Sequence, residues 1–120
     1  MSVFSKKNKV SLDLQSISTI ISEGAAIDGN LKGSSFVRID GYINGDVTID
    51  EGLILGEKGI IHGLVTTKEI VVYGTINGNL NVESLEIKST GKISGEIKTH
   101  SLSVEAGAIY NGNLLMTKEL

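Results

Sequence analysis

From Thr19 to Met116, apolar and polar residues alternate with a period of two, in short runs that return at a nearly fixed interval. In each repeat one run places two large side chains four residues apart on the same side: Ile27 and Leu31, Ile43 and Val47, Ile61 and Val65, Ile76 and Leu80, Ile93 and Ile97, Tyr110 and Leu114. A polar corner follows, and then a second run with its own alternating pair: Val37/Ile39, Leu53/Leu55, Ile70/Val72, Leu85/Ile87 and Leu102/Val104. Strict alternation buries one face of a strand and leaves the other wet. Each repeat is therefore expected to supply short strands joined by tight corners, with the apolar positions of successive repeats stacked into columns.

Glycine marks the repeat. Gly-x-Ile-x-Gly stands at Gly41 to Gly45, Gly59 to Gly63, Gly74 to Gly78 and Gly91 to Gly95, and looser copies run from Gly24 to Gly29 and from Gly107 to Gly112. The second glycines are Gly29, Gly45, Gly63, Gly78, Gly95 and Gly112, which sets a repeat of about 17 residues. So short a period is the signature of a solenoid, in which each repeat buries its apolar face only against its neighbours. The first glycine is expected to take a positive φ at a corner, and the second to lie inward where a side chain would crowd the coil. Asp50-Glu51-Gly52, Gly56 to Gly59 and Lys88 to Gly91 supply polar turn chemistry. A strict six-residue sub-repeat is missing, so a looser three-faced parallel coil is expected. About six coils fill a single all-β domain.

Outside the coil, residues 1–18 lack the glycine phrase and read as a flexible tail, residues 19–116 as the β-helix core and 117–120 as a short C-terminal tail. Leu14, Ile17 and Ile21 share helical spacing, but Ser16, Ser18 and Thr19 weigh against a helix there. The ends of the stack carry no proline and no evident cap, although bare strand edges over an apolar core invite pairing with another chain. Self-association through the ends follows from that physics.

Composition narrows the picture. Cysteine is absent, which removes disulfides and thiolate metal sites, and no apolar run has the length of a membrane span or signal peptide. A cytoplasmic protein is expected. Lys6, Lys7 and Lys9 give the first ten residues a charge of +3, leaving eight basic against fourteen acidic side chains in the remainder. The acidic body argues against nucleic acid as a partner. Val3 and Phe4 beside the three lysines offer a small apolar insertion with cationic support, a membrane-targeting tip worth about 1 kcal/mol per basic residue at an anionic surface. Along a polymer such weak tips act together.

Catalytic signals are poor. His62 and His100 fall on different coils, and His62 occupies an outward column with Asp28, Asn44, Asn77, Ser94 and Asn111. Asp28, Asp46, Asp50 and Glu51 scatter around corners rather than at metal-ligand spacing. The glycine phrases lead into strands without the Lys-Ser/Thr of a phosphate cradle. No catalytic residue, metal or cofactor is expected. A trimeric β-helix acyltransferase would need a protruding loop around a catalytic histidine, and a monomeric binding module would need its ends covered by residues 1–18.

The residues also carry a family resemblance. Ile20 to Gly24, Ile27 to Leu31 and Val37 to Val47 resemble the opening of a bactofilin core, and Val104 to Gly112 is similar to its close. Met-Ser-Val-Phe-Ser-Lys-Lys resembles the membrane-targeting tip of many members. The resemblance implies a right-handed, three-faced parallel β-helix that polymerises end to end without nucleotide into non-polar filaments. It further implies that these line the inner face of the cytoplasmic membrane and position cell-wall or morphogenesis proteins. It places Tyr110 where the family commonly has a phenylalanine at the polymer contact. With Tyr110, the end residues Leu114, Met116, Ile21 and Ile27 are the candidate polymerisation surface, and Val3, Phe4, Lys6, Lys7 and Lys9 the candidate membrane-targeting residues.

Overall fold

The computed structural model describes residues 17–117, so Val3, Phe4, Lys6, Lys7 and Lys9 lie outside the described residues, as do 118–120. Every regular element within the described residues is a β-strand. They are β1 (Ile17–Ile21), β2 (Ala26–Asp28), β3 (Leu31–Gly33), β4 (Phe36–Ile39), β5 (Tyr42–Asn44), β6 (Val47–Leu55), β7 (Ile60–His62) and β8 (Val65–Val72). The chain continues through β9 (Thr75–Asn77), β10 (Leu80–Ile87), β11 (Lys92–Ser94), β12 (Ile97–Thr99), β13 (Ser101–Val104), β14 (Ile109–Asn111) and β15 (Leu114–Met116). Ile17 to Ile21 pairs with β4 as a strand, so helical spacing over those residues is overridden by edge pairing.

All pairings are parallel, as coiling in one direction demands. One strand from each coil builds a six-stranded sheet in the order β14-β11-β9-β7-β5-β2. The other strands form a bent sheet along β1-β4-β6-β8-β10-β12-β15, with β3 on β6 and β13 on β10. It bends because β6, β8 and β10 each run through a corner, marked in β6 by a register shift between Ile49 and Gly52. The result is a parallel β-helix with three faces.

The register reproduces the columns read from the sequence. Ile27, Ile43, Ile61, Ile76, Ile93 and Tyr110 lie in succession, as do Leu31, Val47, Val65, Leu80, Ile97 and Leu114. Val37/Ile39, Leu53/Leu55, Ile70/Val72, Leu85/Ile87 and Leu102/Val104 align in the same way on the third face. In the middle coils these side chains are all but sealed, forming one continuous core. Each contributes about 1.5–3 kcal/mol over an exposed position. A further inward column continues the alternation one step past the second aliphatic residue: Ile49, Thr67, Val82 and Thr99, all buried. The Thr99 hydroxyl lies 3.1 Å from the Glu83 carbonyl and 3.0 Å from that of Ser101, so its polarity is satisfied inside the corner.

Both glycine positions are crowded, as expected of the second, but the positive φ expected at the first falls on the second. In the four strict repeats it is the second glycine that has a positive φ, +158° at Gly78, while among first glycines only Gly24 and Gly107 of the looser copies do. At Gly78 a Cβ would stand 2.0 Å from the Gly63 carbonyl oxygen, so what a side chain would strike is the backbone of the preceding coil. The first glycine of the strict repeats is required by close approach alone: a Cβ at Gly74 would meet the Gly56 and Gly59 carbonyl oxygens at 2.3 and 2.4 Å.

Side chains just past the second glycine tie successive coils. Asn30 Oδ1 accepts from the Asp46 amide (3.0 Å), Asp46 Oδ1 from the Leu64 amide (3.1 Å) and Asn79 Oδ1 from the Glu96 amide (3.0 Å). The Leu64 side chain has no acceptor and interrupts the ladder.

Candidate functional site

An inward side chain in a middle coil has a coil above and below it; in a terminal coil it has only one. Ile21, Ile27 and Leu31 at the first end, and Leu102, Ala108 and Tyr110 at the last, are therefore only partly buried although they pack on the core. Leu114 and Met116 remain 41% and 48% exposed and Val104 54%, against 0–6% for the buried members of the columns they continue. The structure thus brings Tyr110, Leu114 and Met116 together on one end of the stack and sets Ile21 and Ile27 on the other.

The last coil is held firmly enough to serve as a platform. Tyr110 pairs in register with Ile93, and its hydroxyl lies 3.0 Å from the Gly95 carbonyl and within reach of that of Asn113. Because its own backbone satisfies the hydroxyl, a partner can cover the ring without burying an unpaired polar atom. Burial pushes the Tyr110 pKa up from its ordinary value, opposed by a backbone hydrogen bond from Ile97 and reinforced by the nearby Glu96 carboxylate. At the opposite corner Glu105 accepts from the Ser89 amide (2.9 Å) and from Lys88 Nζ (3.4 Å). Lys88 also pairs with Glu86 at 2.6 Å, and that hydrogen bond raises the Lys88 pKa, the charges of both glutamates adding to it against a burial cost. His100 Nδ1 meets the Thr117 hydroxyl at 2.7 Å, tying the chain after β15 to the preceding coil.

The residues weighed for catalysis or metal binding are not brought together. His62 packs edge-on against Tyr42 on the six-stranded sheet, with ring centroids 5.4 Å apart. His100 lies instead at one side of an open polar groove of about 580 Å³ lined by Thr48, Thr66, Asn81 and Lys98. Among the described residues no three His, Asp or Glu side chains stand together as a metal site, and no helix is long and apolar enough to cross a membrane. Sequence reasoning passed over the buried threonine column, which continuing the period-two alternation by one step would have found.

The fold and its ends define a class: a parallel β-solenoid whose two terminal coils leave apolar core open to solvent. A family model for bactofilins, described as polymer-forming cytoskeletal, matches residues 19–115, and the chain belongs to the bactofilin family. It is 28% identical over 99 residues to bactofilin BacP and 26% identical over 99 residues to bactofilin BacO, both of Myxococcus xanthus. Those matches take in 82% of this chain but 41% of BacP and 79% of BacO, so the chain spans about two fifths of the longer relative. The structure is also similar to a Thermus thermophilus bactofilin solved as double helical filaments by cryo-EM. The TM-score is 0.80 at 26% identity, covering 82% of this chain and 99% of that one.

Proposed function

We propose that this bactofilin is a structural protein that polymerises end to end, without nucleotide, by stacking its open terminal coils. The observation that carries the reading is the pair of partly uncovered apolar ends, with Tyr110, Leu114 and Met116 on one and Ile21 and Ile27 on the other. The filament form of the similar Thermus thermophilus protein supports it. Like ends meeting like would make the filament non-polar, since a two-fold contact uses the same patch twice. The core takes in β1 from Ile17, two residues before the expected boundary at 19, and runs to residue 116, with a tail of residues 1–16 before it and 117–120 after. The tip of that tail, with Val3, Phe4, Lys6, Lys7 and Lys9, anchors the polymer to the inner face of the cytoplasmic membrane. There it positions cell-wall or morphogenesis proteins.

Tyr110→Arg tests the contact. An interfacial aromatic contributes about 2 kcal/mol or more, and two arginines meeting across a symmetric end would repel. The variant should keep its β-rich circular dichroism yet stay in the supernatant at speeds that pellet the parent. Pelleting like the parent would overturn the interface role; loss of β signal would assign Tyr110 to the core. Deleting residues 2–9, or Phe4→Ser, should abolish flotation with anionic liposomes while polymers persist, and unchanged flotation would contradict the anchor.

A further inference from the structure

Asparagine precedes glycine at three equivalent places in the repeat, Asn44-Gly45, Asn77-Gly78 and Asn111-Gly112. Each asparagine is exposed and ends a strand of the six-stranded sheet. An asparagine side chain before glycine is open to attack by the amide nitrogen of that glycine, which no side chain shields. Coil stacking closes this route in the middle of the protein. The Gly45 amide donates to the His62 carbonyl (2.9 Å) and the Gly78 amide to the Ser94 carbonyl (2.8 Å), and the strands that carry Asn44 and Asn77 are paired on both sides. The Asn44 side chain is itself held, donating to Asp28 Oδ1 at 3.1 Å. In this column each glycine amide donates to the coil that follows, so the Gly112 amide points out of the open end and meets no acceptor among the described residues. Among those residues β14, which carries Asn111, is the outermost strand of its sheet and pairs with β11 alone.

We propose that Asn111 is a site of spontaneous deamidation, through attack of the Gly112 nitrogen on its side chain, as long as the last coil is uncovered. The Gly112 nitrogen gives its proton to hydroxide and bonds to Asn111 Cγ, closing a five-membered succinimide. The side-chain nitrogen leaves as ammonia, taking a proton from water. A second water opens the ring at either carbonyl and leaves aspartate or isoaspartate at position 111. The net change is one water consumed and one ammonia released, with no oxidation or reduction. Asn44 and Asn77 are spared because their glycine amides would first have to break an inter-coil hydrogen bond, and because an interior strand cannot turn to bring nitrogen and Cγ together without parting from both neighbours. Either product places a new negative charge beside Tyr110, and isoaspartate also lengthens the main chain at the end of β14 by one methylene. In the end-to-end polymer proposed above, on which this consequence alone rests, a second copy covers the Gly112 amide and stops the reaction. Conversely, two carboxylates brought face to face across a symmetric end oppose assembly. Subunits then age only while they are unassembled.

The parent protein, diluted until none of it pellets, should be incubated in mildly alkaline buffer and mapped by peptide mass spectrometry over time. Conversion at Asn111 should be at least tenfold faster than at Asn44 or Asn77 and should yield isoaspartate together with aspartate. Equal rates at the three sites, or faster conversion at Asn44 or Asn77, would overturn the proposal, and aspartate without isoaspartate would show direct hydrolysis and remove the Gly112 nitrogen from the reaction. This ranking is read on the dilute chain and holds or fails whether or not filaments form. In concentrated protein, conversion at Asn111 should be at least tenfold slower in the pellet than in the supernatant, and Asn111→Asp should raise the concentration needed for pelleting at least tenfold while keeping the β-rich circular dichroism. Equal conversion in the two fractions would overturn the shielding, and unchanged pelleting of Asn111→Asp would overturn the link to assembly.

Discussion

Gly78 and Gly29 occupy the same place in the repeat, yet the structure assigns them different costs for a methyl group. Both have a positive φ, +158° and +135°. Around Gly29 the space is open, with nothing within 4 Å of a built Cβ, because no coil lies beneath it. Gly29→Ala therefore carries only the backbone penalty of a non-glycine residue at positive φ, about 1–2 kcal/mol. At Gly78 the Cβ falls 2.0 Å from the Gly63 carbonyl oxygen and 2.7 Å from its carbon. To reach an ordinary contact the coils must part by roughly 1 Å or more. That movement strains two neighbouring bonds between these coils, from the Gly63 amide to the Asn77 carbonyl (3.2 Å) and from the Val65 amide to the Asn79 carbonyl (2.9 Å). Each such bond contributes about 1 kcal/mol. Adding the backbone penalty, Gly78→Ala should cost about 3–4 kcal/mol. Urea unfolding followed by circular dichroism over a dilution series, which separates assembly from folding, measures both. A Gly78→Ala cost no larger than that of Gly29→Ala would refute the close-approach account of the glycine column.

Two other perturbations follow from single contacts. Thr99→Val keeps the shape of a buried side chain but removes the hydroxyl between the Glu83 and Ser101 carbonyls. It should lower the unfolding free energy by about 1–2 kcal/mol in the same assay, and an unchanged value would show that the hydroxyl contributes nothing there. The Lys88 and Tyr110 pKa values are both raised in the folded protein. Their contributions are therefore complete below the ordinary lysine and tyrosine range, near about pH 10, and are lost as pH climbs through the folded values. The urea midpoint should fall above about pH 10, less steeply in Tyr110→Phe; a midpoint that rises there would contradict the sign.

The columns were legible because burial on one side of a strand writes itself as alternation, and a fixed repeat multiplies the signal: Ile43, Ile61, Ile76 and Ile93 could be aligned by eye. What the sequence concealed depends on geometry between coils. Which glycine of each pair takes the positive φ is decided by how the chain turns over the coil beneath, and nothing in Gly74-Thr-Ile-Asn-Gly78 distinguishes its two ends. Thr67 and Thr99 are polar by type and were passed over as inward positions, because their hydroxyls find carbonyls only once the corner is folded. Ile54 sits on the wrong parity for the core, between the inward Leu53 and Leu55, and is nonetheless only 3% exposed. The ends were legible as unprotected edges, but the tethering of Tyr110 to Gly95 and of Glu105 to Lys88 joins residues a full coil apart.

End-to-end stacking of the coils makes one demand that sideways association does not. Every strand must run across the filament axis, with the inter-strand spacing of about 4.8 Å continuing from one subunit into the next. Purified protein, with no nucleotide or metal added, should be imaged by cryo-EM and its filaments subjected to Fourier analysis. The account predicts unbranched filaments with a meridional reflection at about 4.8 Å and an axial subunit rise of roughly 29 Å, the height of six coils. Discrete monomers or trimers across salt and concentration, or filaments with that reflection off the meridian, would contradict it.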